Sequence, residues 1–331
     1  MSVVVITGAS AGVGRATTRA FARRGDAVAL IAREPERLEA ARAEAVELGA
    51  AGAVACPLDV ADADAVEAAA ARIEEQLGPI DVWVNCAMAA TLSFVHETDP
   101  ADFRRVTEVT YLGQVHGTLA ALRRMRARDR GVIIHVGSAL AYRAIPLQAT
   151  YCAAKHAVRA FADALRCELM HEGSSVHVTS VHLPGLNTTQ FDWVRTTLAR
   201  KPRPVAPVYQ PELAADAIVW ASEHPRREFF VGGSTVATIL GNRLAPRIAD
   251  RYLARTGIDG QQDEQPVESG RRDYLYEPLP GDRGAHGRFD DEATPRSPTW
   301  WLTRRRAPLA ASLLSAAAAA ALARSALRAR T

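Results

Sequence analysis

Short apolar runs rich in β-branched residues alternate with longer segments of helical period from residue 3 to about residue 231. Such alternation is typical of strand–helix units around a parallel sheet, whose strands are covered on both faces and are therefore apolar throughout. The pattern predicts an α/β fold with a doubly wound, seven-stranded parallel sheet. The predicted strands are Val3–Ile6, Ala27–Ile31, Ala53–Cys56, Ile80–Val84, Val132–Val136, Val176–Val181 and Phe229–Val231.

Between these strands, apolar residues recur three and four positions apart, which is the period of a helix with one buried face. The predicted helices are Val13–Arg24, Glu36–Leu48, Asp62–Gln76, Asp102–Arg128, Thr150–His171 and Pro211–Glu223. The first strand begins almost at residue 1, without the basic and long apolar regions of a secretion signal. We therefore expect a cytoplasmic protein.

The character of the chain changes near Ile258. Residues 257–299 are rich in Gly, Pro and charged side chains, with scattered aromatics. This composition predicts an irregular, partly disordered extension. We therefore divide the chain into a domain over residues 1–255, a polar extension over 256–299 and a helical tail over 300–331.

The tail combines Trp300 and Trp301 with a 17-residue Ala/Leu stretch, Ala307–Ala323, that has arginines on both sides. The stretch is shorter than the usual membrane span of about 20 residues, and alanine inserts with little free-energy gain. Paired tryptophans and arginines would suit a membrane interface, whereas Ala-rich helices also form in water. Membrane association through the tail and a water-exposed helix both remain open.

Charge and cysteine content exclude several classes of function. A formal net charge of +3 over 331 residues is too small to indicate a nucleic-acid partner. The four cysteines have neither metal-ligand spacing nor the pattern of a disulfide framework, so we expect buried thiols. His135, His177 and His182 also lack metal-ligand spacing, and no metal site is predicted.

A glycine-rich segment, residues 7–14, follows the first strand and opens the first helix. Glycines at such a turn let the backbone approach a pyrophosphate, whose charge is stabilised by amide groups and by the helix dipole. Its position in a series of strand–helix units makes a dinucleotide site the expected role. The predicted contacts in the loop are Thr7, Gly8, Ser10, Gly12, Val13 and Gly14.

The end of the second strand indicates which nicotinamide dinucleotide is bound. An acidic residue there would accept the adenosine ribose hydroxyls of NAD, but this chain has Ala32 followed by Arg33. An arginine can hold a 2′-phosphate with charge-assisted hydrogen bonds. The sequence therefore predicts NADP(H), with Arg33 on the phosphate and Ser10 as a possible second contact.

Tyr151 and Lys155 are four residues apart on a predicted helix, a spacing that places both side chains on one face. A phenol has a pKa near 10, so an ammonium group beside it would favour the ionised form and make it a better acid/base at neutral pH. Ser138 lies 13 positions before Tyr151, after the fifth strand. These three residues are the predicted catalytic group.

The G-x-x-x-G-x-G loop, Ser138 and the Tyr-x-x-x-Lys pair together resemble the short-chain dehydrogenase/reductase family over residues 1–235. The resemblance implies a Rossmann-type catalytic domain with an adenine contact at Asp59 and Val60. It also implies a cofactor wall at Asn85 and Ala87, and nicotinamide contacts at Pro184, Gly185 and Thr188. In the implied reaction, hydride passes from the nicotinamide to a carbonyl carbon while Tyr151 donates a proton, Ser138 polarises the carbonyl and Lys155 holds the ribose.

The chain departs from this family at several positions. Thr110 stands where the family has an asparagine that holds a water of the proton relay, and Cys86 and Met88 replace residues of the family's Asn-Asn-Ala-Gly motif. The main hypothesis is an NADP(H)-dependent reductase or dehydrogenase of carbonyl and alcohol substrates. The alternative is a catalytically impaired NADP(H)-binding regulatory or scaffold protein.

Residues after the sixth strand suggest an apolar substrate. Phe191, Trp193, Val194 and Leu198 precede a proline-rich run, a composition that suits either a lid or a loop packed on a neighbouring helix. The family resemblance also implies a homo-oligomer, with Asp102–Arg128 and Thr150–His171 as the expected interface.

Overall fold

A computed structural model of the protein describes residues 1–306. Its main sheet has seven strands in the order β7-β6-β5-β4-β1-β2-β3, and every neighbouring pair is parallel. This confirms the predicted doubly wound sheet of the Rossmann type. The strands are β1 (Val3–Thr7), β2 (Ala27–Ala32), β3 (Gly52–Pro57), β4 (Val82–Asn85), β5 (Gly131–Ser138), β6 (Val176–Leu183) and β7 (Glu228–Phe230).

Helices cover both faces of the sheet. Both faces need a cover because alternate residues of a strand point to opposite sides. In β1, Val3 and Val5 belong to the apolar core on one face, and Val4 and Ile6 belong to the core on the other. The helices are α1 (Gly12–Ala22), α2 (Pro35–Glu47), α3 (Ala63–Leu77), α4 (Pro100–Thr107), α5 (Gly113–Arg128), α6 (Ala149–His171), α7 (Pro211–Glu223), α8 (Gly233–Leu244) and α9 (Pro246–Thr256). Helices α1, α2 and α7 pack on one face, and α3, α5 and α6 on the other.

The long helix predicted over Asp102–Arg128 is interrupted. A π-helical turn, Glu108–Leu112, separates α4 from α5. Within this turn the Thr110 hydroxyl is fully buried and both accepts from the Ala89 amide and donates to the Ala89 carbonyl, at 2.8 Å each. The turn therefore attaches the helix to the loop that follows β4.

Two long helices were not predicted, and neither was the four-residue helix Gln190–Trp193. Helices α8 and α9 follow β7, where Gly232, Gly233, Gly241 and Pro246 interrupt the helical period in the sequence. Little of their surface is buried, and α9 has no fully buried residue. Their position matters because both contribute to the wall of the cavity described below.

The extension packs against the domain instead of being disordered. Gln262–Pro266 pairs antiparallel with Arg200–Pro202, and the residues that follow are mostly irregular, as predicted. Leu275, Leu279 and Phe289 are buried, because they insert among side chains of the domain. Hydrophobic burial at a few points thus fixes a segment whose composition is polar.

The described part of the tail also contacts the domain. Residues 298–306 are helical, and Trp300 is only 3% exposed, packs edge-on against Phe229 and donates to Asp216 at 2.7 Å. Trp300 is therefore not the interface anchor that the sequence suggested. No helix within residues 1–306 is long and apolar enough to cross a membrane. The Ala307–Ala323 stretch lies outside the described residues.

Candidate active site

A cavity of about 630 Å³ opens at the carboxyl ends of the sheet strands. Its wall is made by the loops after β1 to β6, together with α8, α9 and part of the extension. This is the expected position of a ligand in a doubly wound sheet, and the volume lies within the range of small-molecule sites.

The glycine-rich loop fits a pyrophosphate. Gly8 and Gly12 have positive φ, +70° and +54°, and a Cβ on Gly8 would lie 2.9 Å from the Cα of Ala87. A Cβ on Gly14 would lie 2.1 Å from the carbonyl oxygen of Gly8. Side chains at these positions would deform the turn, so the glycines keep the loop narrow and its backbone accessible from the cavity.

Most predicted cofactor contacts line this cavity. They are Gly8, Ser10, Gly12, Val13, Gly14, Arg33, Asp59, Val60, Ala87, Pro184, Gly185 and Thr188. Their roles toward a bound dinucleotide are taken up below as part of the proposed function.

Two of the predicted cofactor contacts, Thr7 and Asn85, do not line the cavity. The Thr7 hydroxyl accepts from the amides of Cys86 and Ala87, at 2.9 and 3.0 Å, and so joins β1 to the loop after β4. Asn85 is fully buried, because its amide accepts from the Trp83 indole and donates to Thr118. Both residues support the cavity wall from within the core.

Two arginines give the outer end of the cavity a positive charge. Arg33 and Arg37 both line it, and neither has a carboxylate oxygen within 4.0 Å anywhere in residues 1–306. They donate instead to backbone carbonyls of the extension. Burial lowers the pKa of both arginines, but a guanidinium remains charged at neutral pH. This end of the cavity suits an anionic ligand.

Asp59 has less free hydrogen-bonding capacity for a cofactor than the sequence suggested. One of its carboxylate oxygens pairs with Arg105, and the other accepts from the Ala61 amide at 3.0 Å. The residue nevertheless lines the cavity beside Val60.

Ser138, Tyr151 and Lys155 meet at the inner end of the cavity. Ser138 ends β5, and Tyr151 and Lys155 lie one helical turn apart on α6. Lys155 is 2% exposed, its Nζ donates to the Val136 carbonyl at 2.6 Å, and this Nζ lies 5.5 Å from the centroid of the Tyr151 ring. The structure thus brings Ser138, Tyr151 and Lys155 together in one cluster.

Burial dominates the ionisation of this cluster. It raises the pKa of Tyr151 well above its ordinary value, and the neighbouring Ser138 hydroxyl only partly opposes this shift. It also lowers the pKa of Lys155 to about 8. Desolvation, which disfavours the charged form of both groups, is the largest cause of each shift. At neutral pH the site holds a protonated phenol beside an ammonium.

A polar network behind Ser138 was missed from the sequence. His182 on β6 is buried, and its two ring nitrogens lie 3.3 Å from the Ser138 carbonyl and 3.2 Å from the Glu228 carboxylate. Tyr142 also donates to Glu228, and Arg159 on α6 lies over the Tyr142 ring at 3.9 Å. Burial alone would raise the pKa of Glu228, but these hydrogen bonds outweigh it and hold that pKa at about 2. The network connects β5, β6, β7 and α6 beside the cluster.

The remaining wall of the cavity is mostly apolar. Of the predicted lid residues, Phe191 and Trp193 line the cavity, whereas Val194 and Leu198 pack into a small core with Leu92. Further apolar lining comes from Met88, Ile145, Leu186, Val205, Ala237 and Leu253. This surface can accommodate an apolar group beside the Ser138 cluster.

The fold and the cavity define a dinucleotide-binding α/β protein. A sequence profile described as short chain dehydrogenase matches residues 2–198, and the chain belongs to that family. It is an oxidoreductase of the short-chain dehydrogenase type, a family that binds a nicotinamide dinucleotide.

Relatives and solved structures agree with this assignment. The chain is 30% identical to the uncharacterized oxidoreductase YxnA of Bacillus subtilis, over 93% of this chain and 86% of that protein, so the match continues into the extension. It is similar to the alcohol dehydrogenase of Thermococcus sibiricus complexed with 5-hydroxy-NADP (29% identity, TM-score 0.61, 70% of this chain and 96% of that one). It is also similar to a short-chain dehydrogenase from Streptomyces avermitilis (25% identity, TM-score 0.64, 78% of this chain and 98% of that one).

Proposed function

We propose that the protein is an NADP(H)-dependent oxidoreductase that interconverts an apolar carbonyl compound and its alcohol, with Tyr151 as general acid and base. One observation carries this proposal. A single cavity has Ser138, Tyr151 and Lys155 at its inner end and the glycine-rich loop with Arg33 at its outer end. The structure neighbour from Thermococcus sibiricus, which is described as holding an NADP derivative, supports the choice of cofactor.

Charge favours NADP(H) over NAD(H). Arg33 and Arg37 place two guanidinium groups at the outer end of the cavity without an ion-pair partner in the described chain. A 2′-phosphate would supply the missing negative charge, and Ser10 adds a hydroxyl nearby. Val13 and Gly14 would bind the pyrophosphate at the start of α1, and Gly12, whose amide donates to Gly284, would let the backbone approach it closely. Asp59 and Val60 would bind the adenine, and Ala87, Pro184, Gly185 and Thr188 the nicotinamide half.

The bound dinucleotide supplies the hydride in reduction and accepts it in oxidation. In reduction, Tyr151 gives its proton to the carbonyl oxygen, which gains negative charge as the carbon receives the hydride. The raised pKa of Tyr151 keeps this proton available at neutral pH. Ser138 donates a hydrogen bond to the same oxygen. Lys155, an ammonium below pH 8, binds the ribose and stabilises the phenolate formed after proton transfer.

Because Thr110 replaces the family's asparagine, the proton that re-protonates Tyr151 after each reduction would follow a different route. The single proton of its hydroxyl is donated to the Ala89 carbonyl, so Thr110 cannot also donate to a water beside Lys155. We propose that re-protonation of Tyr151 uses solvent that reaches Lys155 through the cavity. The intact triplet argues against the alternative of a regulatory or scaffold protein, because a cofactor binder has no need of all three residues.

A screen of NADPH oxidation tests this function. The purified full-length chain is assayed with steroids, fatty aldehydes, quinones and small ketones. We expect turnover with an apolar carbonyl, loss of that turnover in Tyr151→Phe, and unchanged NADPH binding in the same variant. Tight NADPH binding with no turnover on any substrate would favour the regulatory protein.

A second variant tests the choice of cofactor. Arg33→Glu should weaken NADPH binding by about tenfold to a hundredfold, since a charge-assisted hydrogen bond contributes about 1.5–3 kcal/mol. Binding of NADH should change much less. An unchanged preference between the two dinucleotides would contradict the assignment.

We also propose a homo-oligomer that buries the outer faces of α5 and α6. Leu119 on α5 and Met170 on α6 are large apolar side chains that are 43% and 80% exposed, so both are available to an interface. Light scattering after size-exclusion chromatography should give a mass above that of one chain, and Leu119→Arg should lower it. A monomeric wild type would contradict this.

A further inference from the structure

Residues 271–285 of the extension, here called the strap, cross the outer end of the cavity. Three carbonyls of the strap, those of Tyr274, Leu275 and Tyr276, accept hydrogen bonds from Arg33. Two more, those of residues 279 and 281, accept from Arg37. Farther along, the Gly284 carbonyl accepts from the Gly12 amide at 3.2 Å, and Asp282 pairs with Arg15 at 3.3 Å. The strap therefore contacts the loops after β1 and β2 simultaneously.

These contacts leave the arginines able to bind a ligand. A guanidinium has five N–H groups, of which Arg33 donates three and Arg37 two to the strap. The acceptors are neutral carbonyls, so the positive charge is not cancelled. The strap thus holds both guanidinium groups in place while their charge and remaining N–H groups stay available.

The cavity keeps space for a ligand with the strap in position. Tyr274, Pro278 and Leu279 of the strap line the same volume as Ser10, Gly12 and Arg33. The Tyr274 hydroxyl also accepts from the Ala90 amide at 3.0 Å, and its ring packs against Trp193. The strap is therefore a wall of the cavity, with space left between it and the glycine-rich loop.

We propose that the strap completes the cofactor site, enclosing the adenosine half of the dinucleotide between itself and Arg33 and Arg37. This inference rests on the proposed NADP(H) function and adds residues from outside the matched family region, because that match ends at residue 198. Its consequence is kinetic, since a dinucleotide bound behind the strap can leave only when the strap opens.

The outer attachment of the strap is suited to opening. Arg271 donates to the carbonyls of Asp192 and Val194 at 2.9 Å each, Asp273 pairs with Arg195 at 3.0 Å, and Tyr276 donates to Asp102 at 2.8 Å. Most of these are polar contacts near the surface, and regular backbone pairing is absent from residues 271–285. Apart from Leu275, Leu279 and Ala285, which are buried, the strap is held by polar contacts of this kind. Segments held by few buried apolar contacts open locally at low free-energy cost.

Dissociation kinetics of NADPH test the proposal on the full-length chain. The double variant D273A/Y276F removes two outer attachments without touching a cavity-lining side chain. The matched control is Asp259→Ala, which removes a similar Asp–Arg pair, with Arg200 at 2.6 Å, outside the strap. Release of NADPH is followed by the loss of its fluorescence in a stopped-flow chase with excess NADP.

We expect the double variant to release NADPH at least tenfold faster than wild type, and the control to match wild type. Unchanged release in the double variant would overturn the proposal. Tighter NADPH binding would also overturn it, because it would mean that the strap competes with the cofactor. If wild type binds no NADPH, the proposed function itself fails. This outcome differs from failure of the strap proposal, in which NADPH binds but its release is unchanged.

Limited proteolysis gives a second measurement that needs no variant. Arg272 and Arg283 are exposed trypsin sites within the strap. Mass spectrometry should show that saturating NADPH slows cleavage after these two residues. It should leave cleavage after Arg200, outside the strap, unchanged. Equal cleavage of the strap with and without NADPH would contradict enclosure.

Discussion

Lys155 offers a direct physical test of the buried site, because Lys155 and Lys201 are the only two lysines in the chain. Protein labelled with ¹³C at lysine Cε should therefore give two resonances. Lys201→Gln assigns them by removing one, and Lys201 itself, paired with Glu268 at 3.1 Å near the surface, is the internal reference.

Burial of the Lys155 ammonium determines the size of the expected pKa shift. A pKa lowered from 10.5 to about 8 corresponds to about 3 kcal/mol of lost stabilisation of the charged form. The hydrogen bond from Nζ to the Val136 carbonyl does not offset this cost. Because the unfolded chain binds this proton more tightly, the free energy of unfolding should rise as pH increases from about 8 to 10.5.

The titration should show the Cε resonance of Lys155 moving with a midpoint near pH 8. The kcat/KM for NADPH-dependent reduction should fall above the same pH, approaching tenfold per pH unit, as the ammonium is lost. A Lys155 midpoint near 10.5 would refute the argument from burial. A midpoint near 8 with no fall in kcat/KM would refute the role of the ammonium in turnover.

Three further predictions concern the loop, the tail and the network behind Ser138. Gly14→Ala should weaken NADPH binding by more than about tenfold in equilibrium titration, whereas Gly260→Ala, where a Cβ meets no atom within 4 Å, should bind like wild type. Trp300→Ala should lower the free energy of unfolding by about 3 kcal/mol and so lower Tm, while Trp301→Ala, at a 48% exposed position, should change it little; equal Tm values would show that Trp300 is not anchored. The pKa of Glu228, held at about 2, contributes stability that is present above pH 4.5 and lost as pH falls toward 2, up to about 3 kcal/mol. Urea unfolding of Glu228→Gln should lack this part of the acid dependence, and identical pH profiles would contradict it.

The positions of several candidate site residues can be read from short stretches of sequence. The glycine-rich loop, Ser138 and the Tyr151–Lys155 pair are set by neighbouring residues, either in a turn that needs positive φ or on one face of a helix. Parallel strands then bring their ends to one edge of the sheet, so correct strand assignments place these residues together.

Sequence patterns are least informative where distant partners decide the conformation. Asn85 turns inward because Trp83 and Thr118 bind its amide, and a family motif gave no sign of those partners. Thr110 lies in a π-helical turn because the Ala89 backbone binds its hydroxyl. The strap is ordered by contacts with Arg33 more than 240 positions away, which composition does not reveal.

The same long separations bear on how the protein matures during synthesis. Arg15 and Asp282, which pair where the strap meets α1, are 267 positions apart. Contacts of this separation form late, because closing a long loop costs entropy before the contact offsets it. All seven strands can thus assemble on the ribosome while the strap is still being made. Until the strap is in place, the emerging domain would exchange a dinucleotide freely.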